Sequence, residues 1–313
     1  MNFLQLIQDP NTQWILAGTL LLGICSGVIG CFAYLRKQSL MGDALAHAAL
    51  PGICVAFMLT GTKSIIGFLI GALVAGVVAT FAIGYITRES RIKQDAALGI
   101  ILSVFFGIGI VLLTKIQHSS YGNQSGLDKF LFGHAAAMVS DDVKIMAVIC
   151  AFLIFITWLL FKEFKIVSFD PNFAKGLGFP IKLLDQLIML LLVVAVVVGI
   201  QAVGVVLMAA MLITPAVSAR YWTNKLHYMI ILASAIGGIS GIGGTLLSSL
   251  GNNLPTGPLI VLSATVIFVF SLLFAPNKGV IAKMRVRYYM KKNTKHSIEN
   301  SIMTATKPKE GQS

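Results

Sequence analysis

Apolar runs of 18 residues or more recur along this 313-residue chain. Each is long enough to cross a hydrocarbon layer of about 30 Å as a helix rising about 1.5 Å per residue. Inside lipid no water is available to backbone N–H and C=O groups, so such a run satisfies them within itself as an α-helix. The runs fall at about 14–35, 42–61, 64–86, 96–116, 143–161, 182–201, 203–221, 227–247 and 257–275. The stretch 182–221 reads as one long apolar run and would overshoot a bilayer as one helix, so it is divided near Gln201. The pattern predicts an all-α fold, a polytopic membrane helical bundle of eight or nine transmembrane helices. Residues 1–277 form its membrane domain, and 278–313 form a basic tail whose polar end is expected to be disordered. The N-terminus lacks the basic start and small-residue cleavage site of a secretory signal, so the first span is expected to stay in place.

Charge is scarce and unevenly placed. Only 12% of residues are charged, about half the share of a soluble domain. The formal net charge of +12 does not indicate nucleic acid, because no recognition motif accompanies it. Much of it lies beyond the last span, from Lys278 through Arg285 and Arg287 to Lys309, where basic residues fix topology and meet anionic lipid. With the 36–41 turn placed in the cytoplasm, all but four of the 24 Lys and Arg residues fall inside; Lys63, Lys115, Lys129 and Lys144 remain outside. That bias predicts a cytoplasmic C-terminus and, with nine spans, an external N-terminus.

Glycines recur at helix-packing spacing: Gly23 and Gly27, Gly67 and Gly71, Gly237 and Gly241. Close helix–helix contact is the reading they favour over a direct part in transport. Cys25, Cys31, Cys54 and Cys150 lie inside apolar runs with no CxxC pair, and read as small buried hydrophobes.

Ionisable side chains within spans are costly and are functional candidates by default. Two stand together in the second span, Asp43 and His47. At i and i+4 they share one helix face, with Cβ atoms about 6 Å apart, so a carboxylate and an imidazole can reach one cation. Pro51 removes the helical bond to the carbonyl of His47, and in a membrane that carbonyl needs another partner. The bland alternative is a neutral histidine bonded to Asp43 that ties two helices together. Weaker candidates for pore lining are Thr214, beside Pro215, and Ser248 and Asn252 at the outer end of the eighth span. Asp95 reads as a helix N-terminal charge, and His118 and His134 as solvated loop residues. In the inner segment 162–181, Asp170-Pro171 is a helix start and Gly176 and Gly178 a stop. The short helix between would present Phe173 and Leu177 to a soluble partner.

The frame around the pair, Arg36-Lys37-Gln38-Ser39-Leu40-Met41-Gly42-Asp43-Ala44-Leu45-Ala46-His47-Ala48-Ala49-Leu50-Pro51-Gly52, resembles the second-span signature of the metal ABC permease family. These are the membrane subunits of bacterial manganese, zinc and iron importers. Asp95-Ala96-Ala97-Leu98-Gly99-Ile100 is similar to the start of that family's fourth span, and Leu131-Phe132-Gly133 with Ser140-Asp141-Asp142 to its outer-loop pattern. Ile213-Thr214-Pro215-Ala216 and Pro255-Thr256-Gly257-Pro258 fit its late spans. His134 departs from the pattern, where an uncharged polar residue such as Asn is expected. The resemblance covers roughly residues 14–275. It implies a permease in the bacterial plasma membrane, carrying a divalent transition metal as cargo with no permanently bound cofactor. It also implies three protein partners: a cytoplasmic ABC ATPase, an extracellular metal-binding lipoprotein and a second permease copy, identical or related. No phosphate-binding glycine loop is present, so ATP hydrolysis is expected on the separate subunit and this chain is not itself an enzyme. Leu50-Pro51-Gly52 looks more like the manganese and iron branch than the zinc branch. The competing readings are a permease for a metal chelate such as a siderophore, and an ion-driven secondary transporter. The first would not need Asp43 and His47 in one turn, and the second would carry internal repeats at its site.

Overall fold

In this computed structural model the described residues are 10–118 and 138–290, apart from 39, 62–63, 251–253, 277, 286 and 288–289. Eleven helices follow one another with no strand among the described residues: α1 (Pro10–Leu35), α2 (Met41–Thr60), α3 (Ile65–Glu89), α4 (Gln94–Gln117), α5 (Ser140–Leu159), α6 (Phe161–Phe169), α7 (Pro171–Gly176), α8 (Ile181–Val203), α9 (Val205–Trp222), α10 (Leu226–Leu250) and α11 (Thr256–Phe274). Eight of them are long and apolar enough to cross a membrane, and α9, 18 residues long, falls at the seventh expected run, 203–221. The division of the long apolar run falls at Gly204, whose φ of 88° and ψ of 166° are open to glycine and strained for other residues.

The helices differ in depth. In α1 72% of the crossing window is buried, in α8 67% and in α2 61%, against 22% in α11 and 28% in α3, α4 and α5. So α1, α2 and α8 form the centre, and the outer helices turn apolar side chains such as Phe81, Val111, Phe152 and Val266 outward. A membrane protein tolerates that surface because lipid tails are as apolar as its own core.

Small residues set the closest crossings. A Cβ on Gly23 would strike the Gly237 backbone, one on Gly27 the Ala233 carbonyl, and one on Gly241 the Thr19 carbonyl. This brings α1 and α10 into backbone contact, and the hydroxyls of Thr19 and Thr245 meet at 3.0 Å across the same seam. Between α2 and α3 the touching glycines are Gly52 and Gly71. Gly67 takes no part, since a Cβ there would meet only Ser64 and Thr60 at 3.6 to 3.9 Å. All four cysteines are free thiols and buried.

The inner segment is more ordered than a connector. Phe161–Phe169 is helical because Phe164 and Val167, three apart, bury one face, and Phe164 meets Phe32 of α1 edge-on at 5.7 Å between centroids. The expected short helix follows as α7.

Candidate functional site

Asp43 lies in the first turn of α2, where the helix dipole favours a negative charge. One turn on, Nε2 of His47 is 3.5 Å from Oδ1 of Asp43. That is ion-pair distance but long for a hydrogen bond, so neither group is fully used by the other. The side chains of His47 and Asp43 retain 19% and 40% of their surface respectively. The imidazole stands edge-on to Phe106 of α4, with centroids 5.0 Å apart and planes at 82°. Its Nδ1 is buried without a hydrogen-bond partner among the described residues, a state that a buried polar atom rarely keeps. Pro51 sits inside α2 and cannot donate to the carbonyl of His47. One turn of helix therefore gathers an accessible carboxylate, an imidazole with unused hydrogen-bonding capacity and a backbone carbonyl freed from the ladder. Among the described residues no three His, Cys, Asp or Glu side chains converge on one point. A single chain offers two strong ligands where a transition metal commonly takes four or more.

The other candidates are spread over the bundle. Thr214 is half-buried in α9, and its carbonyl accepts the Ser218 hydroxyl at 2.7 Å. Ser248 Oγ lies 2.8 Å from the Leu254 carbonyl and 2.9 Å from Thr256 Oγ1, so its hydroxyl fastens the α10–α11 turn. Asn252 and His134 lie outside the described residues. Asp95 is exposed in the first turn of α4, as a helix-dipole charge should be. His118 Nδ1 is 3.0 Å from the Thr114 carbonyl. In the inner segment Asp170 caps α7, its Oδ1 accepting the Phe173 N–H at 2.9 Å, with Pro171 in the first turn. Phe173 and Leu177 are 58% and 54% exposed, so the short helix holds two large apolar side chains clear of the bundle.

One contact near the site has no signal in local sequence. Arg36, just after α1, pairs with Asp185 in the second turn of α8, and the two side chains are 13% and 29% exposed. Burial pulls the Arg36 pKa below its ordinary value, since desolvation penalises the charged form. Its Nη1 and the Oε1 of Gln38 lack hydrogen-bond partners among the described residues. Partners so distant in sequence could be found only by pairing every charge with every other.

A bundle of apolar helices whose most central members include one with a carboxylate and an imidazole on a shared face defines a polytopic membrane protein built around a polar point. Comparison with known proteins makes the assignment specific. The ABC 3 transport family matches residues 8–275, and the chain belongs to that family. The manganese transport system membrane protein MntC of Bacillus subtilis is 57% identical over 285 residues, covering 90% of this chain and 66% of that protein. This chain thus spans just under two thirds of that relative's length. The zinc transport system membrane protein TroC of Treponema pallidum is 44% identical over 284 residues, covering 90% of this chain and 94% of that one. PsaBC from Streptococcus pneumoniae, solved in complex with Fab, superposes with a TM-score of 0.78 at 37% identity, over 88% of this chain and 96% of the other.

Proposed function

We propose that this chain is the membrane-spanning permease subunit of an ATP-driven bacterial importer for a divalent transition metal, manganese first and iron or zinc next. The observation that carries the reading is the pairing of Asp43 with His47 on one face of the buried helix α2, 3.5 Å apart and incompletely satisfied. Relatives named for manganese and for zinc transport support the cargo class. Imidazole with carboxylate suits all three metals, and intrinsic affinity rises toward zinc whatever the biological cargo. The preference for manganese therefore rests on the more similar relative and on Leu50-Pro51-Gly52.

The mechanism follows from the ligand count. A second permease copy, related by a two-fold axis, brings another Asp43 and His47 to the path, giving two carboxylates and two imidazoles. Water and the freed His47 carbonyls complete the shell. Two Asp43 carboxylates facing each other repel unless a cation or a shared proton lies between them, so the empty path closes on protons or Asp–His contacts and opens around metal. A transport site must also release its ion, and a pair of residues per chain on a membrane helix serves that better than a full structural cage. ATP hydrolysis belongs to a separate ATPase that docks on α7, and an extracellular metal-binding lipoprotein delivers the ion.

The test is metal-resolved uptake in a bacterial strain lacking the gene, complemented with wild-type or variant chain. Asp43→Asn keeps the shape and removes the charge; it and His47→Ala should each drop manganese uptake to background while expression and ATPase association persist. Wild-type uptake by both variants would reduce the pair to a structural tie and end this reading.

A further inference from the structure

The last turn of α1 holds the inner segment at two points. Phe32 and Arg36, the latter just past the helix end with its N–H still bonded to the Phe32 carbonyl at 3.1 Å, lie on one side of that end. Phe32 packs edge-on against Phe164, which precedes α7, and Arg36 pairs with Asp185, which follows it. The exposed helix α7 is thus gripped on both sides of its sequence by one turn of α1. From that turn the chain passes directly to the polar site. Lys37 adopts φ 58°, the left-handed conformation that closes a helix. The Gln38 N–H donates to the Ala33 carbonyl at 2.9 Å, that of Lys37 to Tyr34 at 3.0 Å, and that of Met41 to Gln38 at 3.0 Å. These bonds lead into α2, whose first two turns carry Asp43 and His47. The bonds of Lys37, Gln38 and Met41 tie the end of α1 to the start of α2, a connection that can act as a lever.

The ion pair is the joint in that lever that can change state. It is largely buried, yet its Asp185 member lines a cavity of about 740 Å³ between α3 and α8, which Gln38 and Arg88 also line. Space beside Asp185 gives its carboxylate room to leave Arg36 and return. The unpartnered Arg36 Nη1 and Gln38 Oε1 leave hydrogen-bonding capacity for a second arrangement. Most buried polar atoms are satisfied, and a cluster with unused donors and acceptors beside a void is suited to two positions.

We propose that Arg36 and Asp185 form a positioning latch that transmits movement of α7 and α8 to the Asp43–His47 turn of α2, so that the state of the docking face sets whether the cation path is open. The proposal rests on the permease reading and adds to it the route by which the soluble partner reaches the site. Neither residue touches the ion; both act through α2.

The assay uses the complete transporter in liposomes, with manganese uptake and ATP hydrolysis measured on the same preparation. Asp185→Asn and Arg36→Gln should each lower the uptake per ATP hydrolysed by about fivefold or more, the lower end of typical coupling between sites. The ATPase should still co-purify and hydrolyse ATP. The reversed pair, Arg36→Asp with Asp185→Arg, should recover a large part of the ratio, because the latch needs opposite charges at these two places. Gly67→Ala, on a helix face that takes no part in packing, should leave the ratio near wild type and serves as the control substitution. A merely structural pair would change the yield of complex but not uptake per ATP. Wild-type ratios in both single variants, or a ratio that the reversed pair leaves as low as the singles, would overturn the latch. Asp43→Asn in the same liposomes separates the two ideas. Normal transport by Asp43→Asn sinks the metal site whatever the latch does, whereas a dead Asp43→Asn beside unaltered latch variants sinks only the latch.

Discussion

Individual residues divide into those whose neighbours are fixed by helix period and those whose neighbours come from elsewhere in the chain. The glycines test the first kind. Gly23 faces the Gly237 backbone with no room for a Cβ, so Gly23→Leu must force α1 and α10 apart. Overpacking typically costs about 1–3 kcal/mol, and backbone on the opposing side cannot move as a side-chain tip can, so the upper end is expected. Gly67 has only Ser64 and Thr60 nearby at ordinary distances, and Gly67→Ala should stay within about 0.5 kcal/mol of wild type. Thermal unfolding in detergent checks both; equal effects would mean that the seam is not where α1 and α10 lock. The same spacing that marks Gly23 and Gly27 correctly also marks Gly67, because sequence shows which side chains are small and not which face meets a partner. Asp43 and His47 are legible as a pair since i,i+4 is a local rule. Phe106 beside His47 and Asp185 beside Arg36 are not, since neither contact has a period.

Elements are more legible than contacts. Each apolar run gives a helix with ends displaced by a few residues, as fraying and capping allow. Gly204 breaks the long run near the point where bilayer thickness requires a break. The helical character of α6 leaves little trace in sequence, because Lys162, Glu163 and Lys165 interrupt its apolar residues and read as loop; tertiary burial of Phe164 and Val167 holds it. The expected α7 is present because its signals are chemical: an Asp170 cap, Pro171, and a stop at Gly178 with φ 80°. Such a short helix is marginal alone, and its exposed Phe173 and Leu177 are the anchors of the proposed docking face. Phe173→Asp should release the ATPase from the purified complex while the permease stays folded, because the side chain is 58% exposed and supports no core. Co-purification measures it, and an intact complex with normal ATP hydrolysis would move the docking face elsewhere.

At the scale of the molecule, the charge bias and the packing make one testable statement about sidedness. Segments assigned to the cytoplasm by their Lys and Arg content gather at one end of the bundle: Arg36 pairs with Asp185, and Gln38, Arg88 and Leu183 line one cavity. Lys278, after the last span, lies close enough to Arg220 for their repulsion to add to burial in lowering its pKa, as two segments on one side should. Charge content and three-dimensional neighbourhood are independent, and both sort these segments together. Single introduced cysteines read the orientation cleanly, since Cys25, Cys31, Cys54 and Cys150 are all buried and give little background. A cysteine replacing the exposed Ser90, between α3 and α4, or Ser297 in the basic tail should react with a membrane-impermeant maleimide only after the cytoplasmic face is opened. One replacing Asn123, in the segment between α4 and α5, should react in intact cells. Labelling of residue 90 from outside would invert the topology, place α7 beyond the reach of a cytoplasmic ATPase, and remove the proposed coupling route with it.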